Sequence, residues 1–124
     1  MNRPQNENRE FERIGVRTAA TAIIPYGPSW VACRAWTDDL SPGGARVLTE
    51  RQITGQQFFI RVQLEGLSRQ VFHCEIRRQG ETLTKTLSDL SEINRYTYGV
   101  KFVGICSDPE ILSCLEDNGA ATAQ

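Results

Sequence analysis

Hydrophobic and polar residues alternate along much of the chain between residues 14 and 105. In the clearest case, every second residue from Phe58 to Leu64 is apolar and would face a core, while Phe59, Arg61 and Gln63 would face outward. Alternation with a period of two is typical of strands that have one face buried and one face in solvent. The pattern therefore predicts a chain built mainly of β-strands.

Turn-forming residues divide this pattern into short segments. Proline and glycine are the strongest of these signals, and the four residues 25–28, Pro-Tyr-Gly-Pro, contain three of them. In the last strand Val100 and Phe102 are expected to point into the core. The predicted strands cover residues 14–24, 30–38, 45–49, 57–64, 71–78 and 96–105.

The segment 79–95 interrupts the regular pattern. It is long and polar, and its apolar residues Leu83, Leu87, Leu90 and Ile93 are spaced irregularly. A short strand, a helical turn and an excursion that reaches toward a partner are all consistent with this composition.

The two ends of the chain have different patterns. Residues 1–8 contain no hydrophobic residue after Met1 and predict a mobile arm. Near the other end, Asp108 and Pro109 are typical of an N-cap and a first helical position, and Glu110 suits the first turn. We predict a helix over about 108–118 that stops near Gly119, and a flexible tail over 119–124.

Several short strands followed by one helix predict an all-β fold, in which an antiparallel barrel carries a C-terminal α-helix. A closed barrel is favoured because it leaves no strand edge unpaired. The 124 residues are the size of one domain, and the barrel is expected to cover about 14–105.

Composition and charge exclude several classes of function. The chain is 40% hydrophobic and 23% charged, as in soluble globular proteins, and its net charge is −1. General nucleic-acid and membrane-surface binders need a broad basic excess, so neither class is expected. No apolar run approaches the roughly 20 residues of a membrane span, and the first residues do not resemble a signal peptide. We therefore expect a cytoplasmic location and no membrane insertion.

The cysteines and the single histidine do not predict a metal or catalytic site. The four cysteines form no Cys-x-x-Cys pair, and a metal or nucleophilic centre would have to use the one histidine, which is expected to face outward. Two of the cysteines lie in apolar strand patterns and are expected to be reduced core thiols. We expect no metal, no catalytic residue and no enzymatic activity. The residues concerned are Cys33, Cys74, Cys106, Cys114 and His73.

The turn at residues 39–44, Asp-Leu-Ser-Pro-Gly-Gly, is the richest in candidate chemistry. Pro42 suits the second position of a turn, and Gly43 and Gly44 can adopt a positive φ. Asp39 offers acceptor oxygens and Ser41 a hydroxyl. Taken alone, this stretch is also consistent with an ordinary hairpin connection in which Asp or Ser caps its own backbone.

A pair of arginines lies upstream of this turn. Arg9 and Arg13 are four residues apart, with Phe11 between them. This spacing places both guanidinium groups on one face of a helix, and an even separation does the same on a strand. The two side chains can therefore act together on one anion.

The arginine pair and the turn, in this order, resemble the two motifs of the PilZ domain, a bacterial receptor module for cyclic di-GMP. The motif residues are Arg9 and Arg13, followed by Asp39, Ser41 and Gly44. Phe11, the run after the glycines and the later run 98–104, Tyr-Gly-Val-Lys-Phe-Val-Gly, also resemble the family pattern.

The resemblance implies a PilZ domain over residues 9–118, in which a six-stranded antiparallel PilZ-type β-barrel precedes the C-terminal helix and the arginine-bearing arm closes over a ligand on the barrel surface. It also implies that the five motif residues bind cyclic di-GMP and that no cofactor or metal is required. Arginine pairs with phosphate oxygens or with guanine O6 and N7. A carboxylate such as Asp39 suits the Watson–Crick edge of guanine, Ser41 can bind ligand or brace the loop, and Gly44 permits close approach.

Three hypotheses follow. The first is a receptor or adaptor that changes conformation on binding cyclic di-GMP and signals to an unidentified effector protein, as a monomer or weak homodimer. The processes implied are motility, pilus, biofilm or exopolysaccharide control. The alternative is a PilZ-fold interaction protein that docks a partner without binding cyclic di-GMP. The third is a small enzyme that acts on nucleotides. The sequence does not support it, because it shows no P-loop, no metal cluster and no base near a nucleophile.

Overall fold

The computed structural model of the chain describes residues 17–122, and their side chains up to residue 116. Strands dominate, as the alternation predicts, and one helix follows them. The elements are β1 (Thr18–Tyr26), β2 (Ser29–Ser41), β3 (Gly44–Thr49), β4 (Gln57–Val62), β5 (Phe72–Thr86), β6 (Glu92–Ile105) and α1 (Pro109–Thr122).

The six strands form a closed antiparallel barrel in the order β1-β2-β3-β6-β5-β4. β4 closes the barrel by pairing with β1, with Ala22 opposite Ile60. β3 pairs with β2 on one side and with the distant strand β6 on the other, where Arg46 lies opposite Gly99. The prediction of a six-stranded antiparallel barrel with a C-terminal helix is confirmed.

The barrel interior holds the main hydrophobic core. Phe58, Ile60 and Val62 of β4 are fully buried as predicted, and Cys33, Cys74 and Val100 join them. Leu64, also predicted to face inward, lies beyond the end of β4 and packs against this core from a partly buried position. Phe102 packs against this core from a partly buried position, as expected. Tyr98 is 1% exposed, and its hydroxyl accepts a hydrogen bond of 2.8 Å from the backbone N–H of Ile53. This bond ties the β3–β4 connection to the core.

A second, smaller core lies outside the barrel, under α1. The helix residues Ile111 and Leu115 are buried there against Ile23 of β1 and Val71. Next to this layer, the predicted outward His73 stacks on Phe59 with ring centroids 4.8 Å apart. The helix therefore covers the outer face of the barrel at β1 and β2.

The start of α1 agrees with its prediction and its end does not. The Asp108 side chain accepts a hydrogen bond of 2.9 Å from the backbone N–H of Glu110, which is the expected N-cap. The helix continues past Gly119 to Thr122. One glycine inside a helix is less favourable than alanine by only about 1 kcal/mol, and two alanines follow it. No helix in the part of the chain that the structure describes is long and apolar enough to cross a bilayer.

The segment 79–95 forms the outer part of a long hairpin. β5 and β6 have 15 and 14 residues and remain paired as far as Thr86 and Glu92. The strands predicted at 71–78 and 96–105 were therefore too short. Alternation fails as a signal in this segment because its side chains are mostly exposed on both faces. The guanidinium of Arg95 lies 4.3 Å from the ring centroid of Trp36 and contacts the outer face of β2.

Candidate functional site

The predicted turn at 39–44 joins β2 to β3 and contains a β-bulge. β2 continues to Ser41, and the pairing register with β3 shifts between Asp38 and Ser41. Asp39 adopts a φ of 54° within this bulge. Aspartate tolerates the left-handed region better than most residues because its short side chain can hydrogen-bond locally. The bulge lets Asp39 line a surface cleft while Leu40, the next residue, packs against the barrel core.

Hydrogen bonds hold the rest of the turn against the barrel. The Ser41 hydroxyl donates to the backbone carbonyl of Gly44 over 3.2 Å. The backbone N–H of Phe102 donates to the Gly43 carbonyl over 2.9 Å, which attaches the turn to β6. This bond braces the loop, which is one of the two roles predicted for Ser41.

Gly44 is required for close packing rather than for an unusual backbone angle. The sequence suggested a positive φ at Gly43 and Gly44, but neither is among the positive-φ residues of the described chain. A Cβ built on Gly44 would instead collide with the backbone carbonyl oxygen of Val100 on β6. Any side chain at this position would separate β3 from β6 next to the turn.

The turn borders an open cleft of about 590 Å³ on the outer face of β3, β6 and β5. The cleft brings together three of the five predicted site residues. The other two, Arg9 and Arg13, lie outside the described residues. The lining consists of Asp39, Ser41, Gly44, Ala45, Arg46, Arg77, Arg78, Gly80, Glu81, Thr97, Gly99 and Val100.

Three arginines line the cleft, and two of them have an acidic neighbour. Arg46 forms an ion pair of 3.1 Å with Asp38, whose carboxylate lies on the adjacent strand. Arg77 lies 3.7 Å from Glu75 along its own strand. With Arg78, these residues give the barrel wall a set of guanidinium groups suited to an anionic ligand.

Small residues and one threonine form the floor of the cleft. Gly80 and Gly99 have no side chain to fill it, and a Cβ on Gly80 would come within 3.2 Å of Cγ2 of Thr97. Thr97 is 6% exposed, and its hydroxyl has no hydrogen-bond partner in the described structure. Unsatisfied buried hydroxyl groups are rare in folded proteins.

A comparison with protein families finds one to which the chain can be assigned. The model of the PilZ domain family matches residues 7–115. The chain belongs to the PilZ domain family. Among solved structures, the chain is similar to the "PilZ domain with c-di-GMP of YcgR from Escherichia coli", with 14% sequence identity and a TM-score of 0.47. That match covers 88% of this chain and 95% of the other. A comparison with curated proteins finds no match.

The arginines and the threonine of this PilZ cleft were missed from the sequence. Arg46 and Thr97 look like ordinary outward positions of alternating strands. Arg77 and Arg78 are consecutive, so a regular strand would point them to opposite faces. The available signal was the loss of alternation after Ile76, where two charged residues follow one another.

The cysteines of the PilZ domain lie away from the cleft, and all four are free thiols. Burial raises the pKa of Cys33 to about 11 and raises that of Cys74 further. Thiols of this kind are poor nucleophiles and poor metal ligands at neutral pH, because both roles require the thiolate. Among the residues that the structure describes, no three His, Cys, Asp or Glu side chains are grouped closely enough to hold a metal ion.

Proposed function

We propose that this PilZ domain is a receptor for cyclic di-GMP. The observation that carries the proposal is the cleft in which Asp39, Ser41 and Gly44 lie beside three arginines. The cleft offers carboxylate acceptors and guanidinium donors on the outer surface of the barrel.

The chemistry of the cleft matches the groups of the ligand. Cyclic di-GMP carries two phosphates and two guanines. The guanidinium groups of the cleft suit phosphate oxygens or the guanine O6 and N7 atoms. The Asp39 carboxylate suits the N1 and N2 hydrogens of guanine, which adenine does not present in this arrangement.

The upstream arginines would complete the site. In this proposal Arg9 and Arg13 close over ligand that is already held on the barrel. Ordering a segment costs about 1–2 kcal/mol of backbone entropy per residue. Charge-assisted contacts contribute roughly 1.5–3 kcal/mol each. Closure is then favourable only with ligand present, which makes the domain a switch.

A conformational change induced by ligand regulates a process when it is transmitted to a partner protein. We propose that the ligand-bound domain acts as a cytoplasmic adaptor for an effector protein in motility, pilus, biofilm or exopolysaccharide control. We propose a role in binding rather than catalysis, since the described residues of the cleft lining include no nucleophile paired with a general base.

Calorimetric titration of the full chain with cyclic di-GMP tests the proposal. We expect saturable binding, and much weaker binding of cyclic di-AMP and of GMP. Equal affinity for the two cyclic dinucleotides would contradict the role of Asp39, and no binding of cyclic di-GMP would overturn the proposal.

The second candidate is a PilZ-fold interaction protein that docks a partner without binding cyclic di-GMP. The feature that favours it is the outer part of the β5–β6 hairpin, where Leu90 is 81% exposed and holds a φ of 71°. A bulky apolar residue in the left-handed region is uncommon and unfavourable. In the same titration, this candidate predicts no heat of binding with any cyclic dinucleotide.

A further inference from the structure

Arg77 and Arg78 lie on the same side of β5 although they are consecutive in sequence. Ile76 is paired with Val100 and Arg78 with Gly99, so β5 uses one residue more than β6 at this point. Arg77 is the extra residue of this bulge. Side chains of a regular strand alternate between faces, whereas here both arginines line the cleft.

A second irregularity follows on the same strand. The register shifts again between Gln79 and Thr82, and the intervening Gly80 and Glu81 also line the cleft. Bulges are frequent beside functional sites, because they redirect side chains and bend a strand. With these two bulges, the charged residues Arg77, Arg78 and Glu81 of β5 all line the cleft.

The positive charges of the arginines that line the cleft are only partly neutralised. Arg46 is held by Asp38 at 3.1 Å, so its guanidinium already has a close partner. The Arg77 pair with Glu75 is longer, at 3.7 Å, and the Arg77 side chain is 55% exposed. Exposed pairs of this kind contribute little stability, so Arg77 can change partner at small expense in energy. Among the side chains that the structure describes, that of Arg78 forms no hydrogen bond or ion pair.

We propose that Arg77 and Arg78 on β5 form a second anion-binding element, the wall, and that the wall contacts a phosphate of the ligand. This inference rests on the proposed function for the identity of the ligand. Adjacent strands are about 4.8 Å apart, so the wall on β5 lies about 10 Å from β3, where the turn with Asp39 ends. A dinucleotide can span that distance, with a guanine at Asp39 and a phosphate at the wall.

Titrations with cyclic di-GMP on Arg77→Ala, Arg78→Ala and the double variant test the inference. Each single change is expected to weaken binding roughly ten- to hundredfold, since one charge-assisted contact is lost. Arg69→Ala is the matched control, because Arg69 is an exposed arginine on the β4–β5 connection and does not line the cleft. It should bind like the parent. Arg77→Gln and Arg78→Gln repeat the test with side chains less able to disturb the bulge.

A second measurement separates the wall from the proposed function. GMP and guanosine are titrated into isotope-labelled protein while the amide NMR signals of Gly80 and Gly99 are followed. GMP should shift both signals, guanosine should shift them much less, and the double variant Arg77→Ala/Arg78→Ala should lose the GMP response. Arg9→Ala/Arg13→Ala should retain it, because the wall acts without those residues.

The outcomes are distinguishable. If the parent binds cyclic di-GMP and all the Arg77 and Arg78 variants bind it equally well, the wall is excluded and the proposed function stands. If the parent binds no cyclic di-GMP, the proposed function fails. The GMP measurement then tests by itself whether the wall binds a phosphate. A phosphate-dependent shift that requires Arg77 and Arg78 then supports the wall, and an absent or unchanged shift overturns it.

Discussion

Gly44 on β3 packs directly against the backbone carbonyl of Val100 on β6, with no room for a Cβ between them. This contact holds the turn that carries Asp39 and Ser41 against the strand that forms the floor of the cleft. Gly44 therefore contributes both to the packing of the barrel and to the position of the site residues in the turn.

Gly44→Ala is expected to lower both stability and ligand binding. The added methyl group must push β3 away from β6, and overpacking of this kind usually destabilises by about 1–3 kcal/mol. Thermal melts and cyclic di-GMP titrations measure the two effects. Gly43→Ala is the control, because a Cβ there meets no atom within 4 Å and its φ is not positive. Equal melting temperatures for the two variants would contradict the close-packing role of Gly44.

Arg9→Ala and Arg13→Ala should affect binding without affecting stability. Both residues adjoin the segment 1–8 that the sequence predicts to be a mobile arm, and changes at exposed positions usually alter the free energy of unfolding by less than about 0.5 kcal/mol. The loss of one charge-assisted contact should weaken cyclic di-GMP binding roughly ten- to hundredfold. Melts and titrations on the two variants check both halves of the prediction. Parent-like affinity in both variants would remove the arginine pair from the proposed site.

Asp39→Asn should reduce the preference for guanine while preserving the turn. Asparagine tolerates the left-handed region as well as aspartate does, so the φ of 54° can be kept. Its amide has one acceptor oxygen in place of a carboxylate and cannot accept both guanine hydrogens in the same way. The ratio of affinities for cyclic di-GMP and cyclic di-AMP should fall by about tenfold, the equivalent of about 1.4 kcal/mol. An unchanged ratio would show that guanine is recognised elsewhere.

Thr97→Val should leave stability unchanged or raise it. The two side chains have nearly the same shape, and the Thr97 hydroxyl is buried without a partner in the described structure. Leaving such a group unsatisfied costs about 1–3 kcal/mol. Chemical unfolding of the two proteins gives the difference, with Thr37→Val as the comparison, since the Thr37 hydroxyl lies 3.5 Å from the Thr18 carbonyl. A clear destabilisation by Thr97→Val would mean that the hydroxyl is satisfied in solution.

The free energy of unfolding should fall as the pH rises above about 9, in part because of Cys33. Burial raises the pKa of the folded thiol from 9.0 to about 11. The unfolded chain therefore releases this proton first, and the stabilisation is complete below pH 9 and is lost between about 9 and 11. Two pH units correspond to about 2.7 kcal/mol at most. Unfolding of the parent and of Cys33→Ala at several pH values measures the effect, and equal slopes would exclude it.

The hydrophobic alternation was sufficient to predict the strands whose faces differ in burial. The inward residues of β4 followed from the sequence because strand periodicity is local and each of them is fully buried. The turn from Asp39 to Gly44 was also predictable, because proline, glycine and short polar side chains have local backbone preferences. Asp39, Ser41 and Gly44 were assigned on that basis together with the family resemblance, and all three line the cleft.

The rest of the site was decided by pairing between distant parts of the chain. β3 lies beside β6 and β6 beside β5, and only this order brings the turn close to Thr97 and Arg78. The bulge that aligns Arg77 with Arg78 is a mismatch between two strands, so neither strand alone predicts it. The collision of a Cβ on Gly44 with Val100 likewise involves residues more than 50 positions apart in sequence. Local preferences determine which segments become strands, and the contacts between strands determine which of their outward residues meet at one cleft.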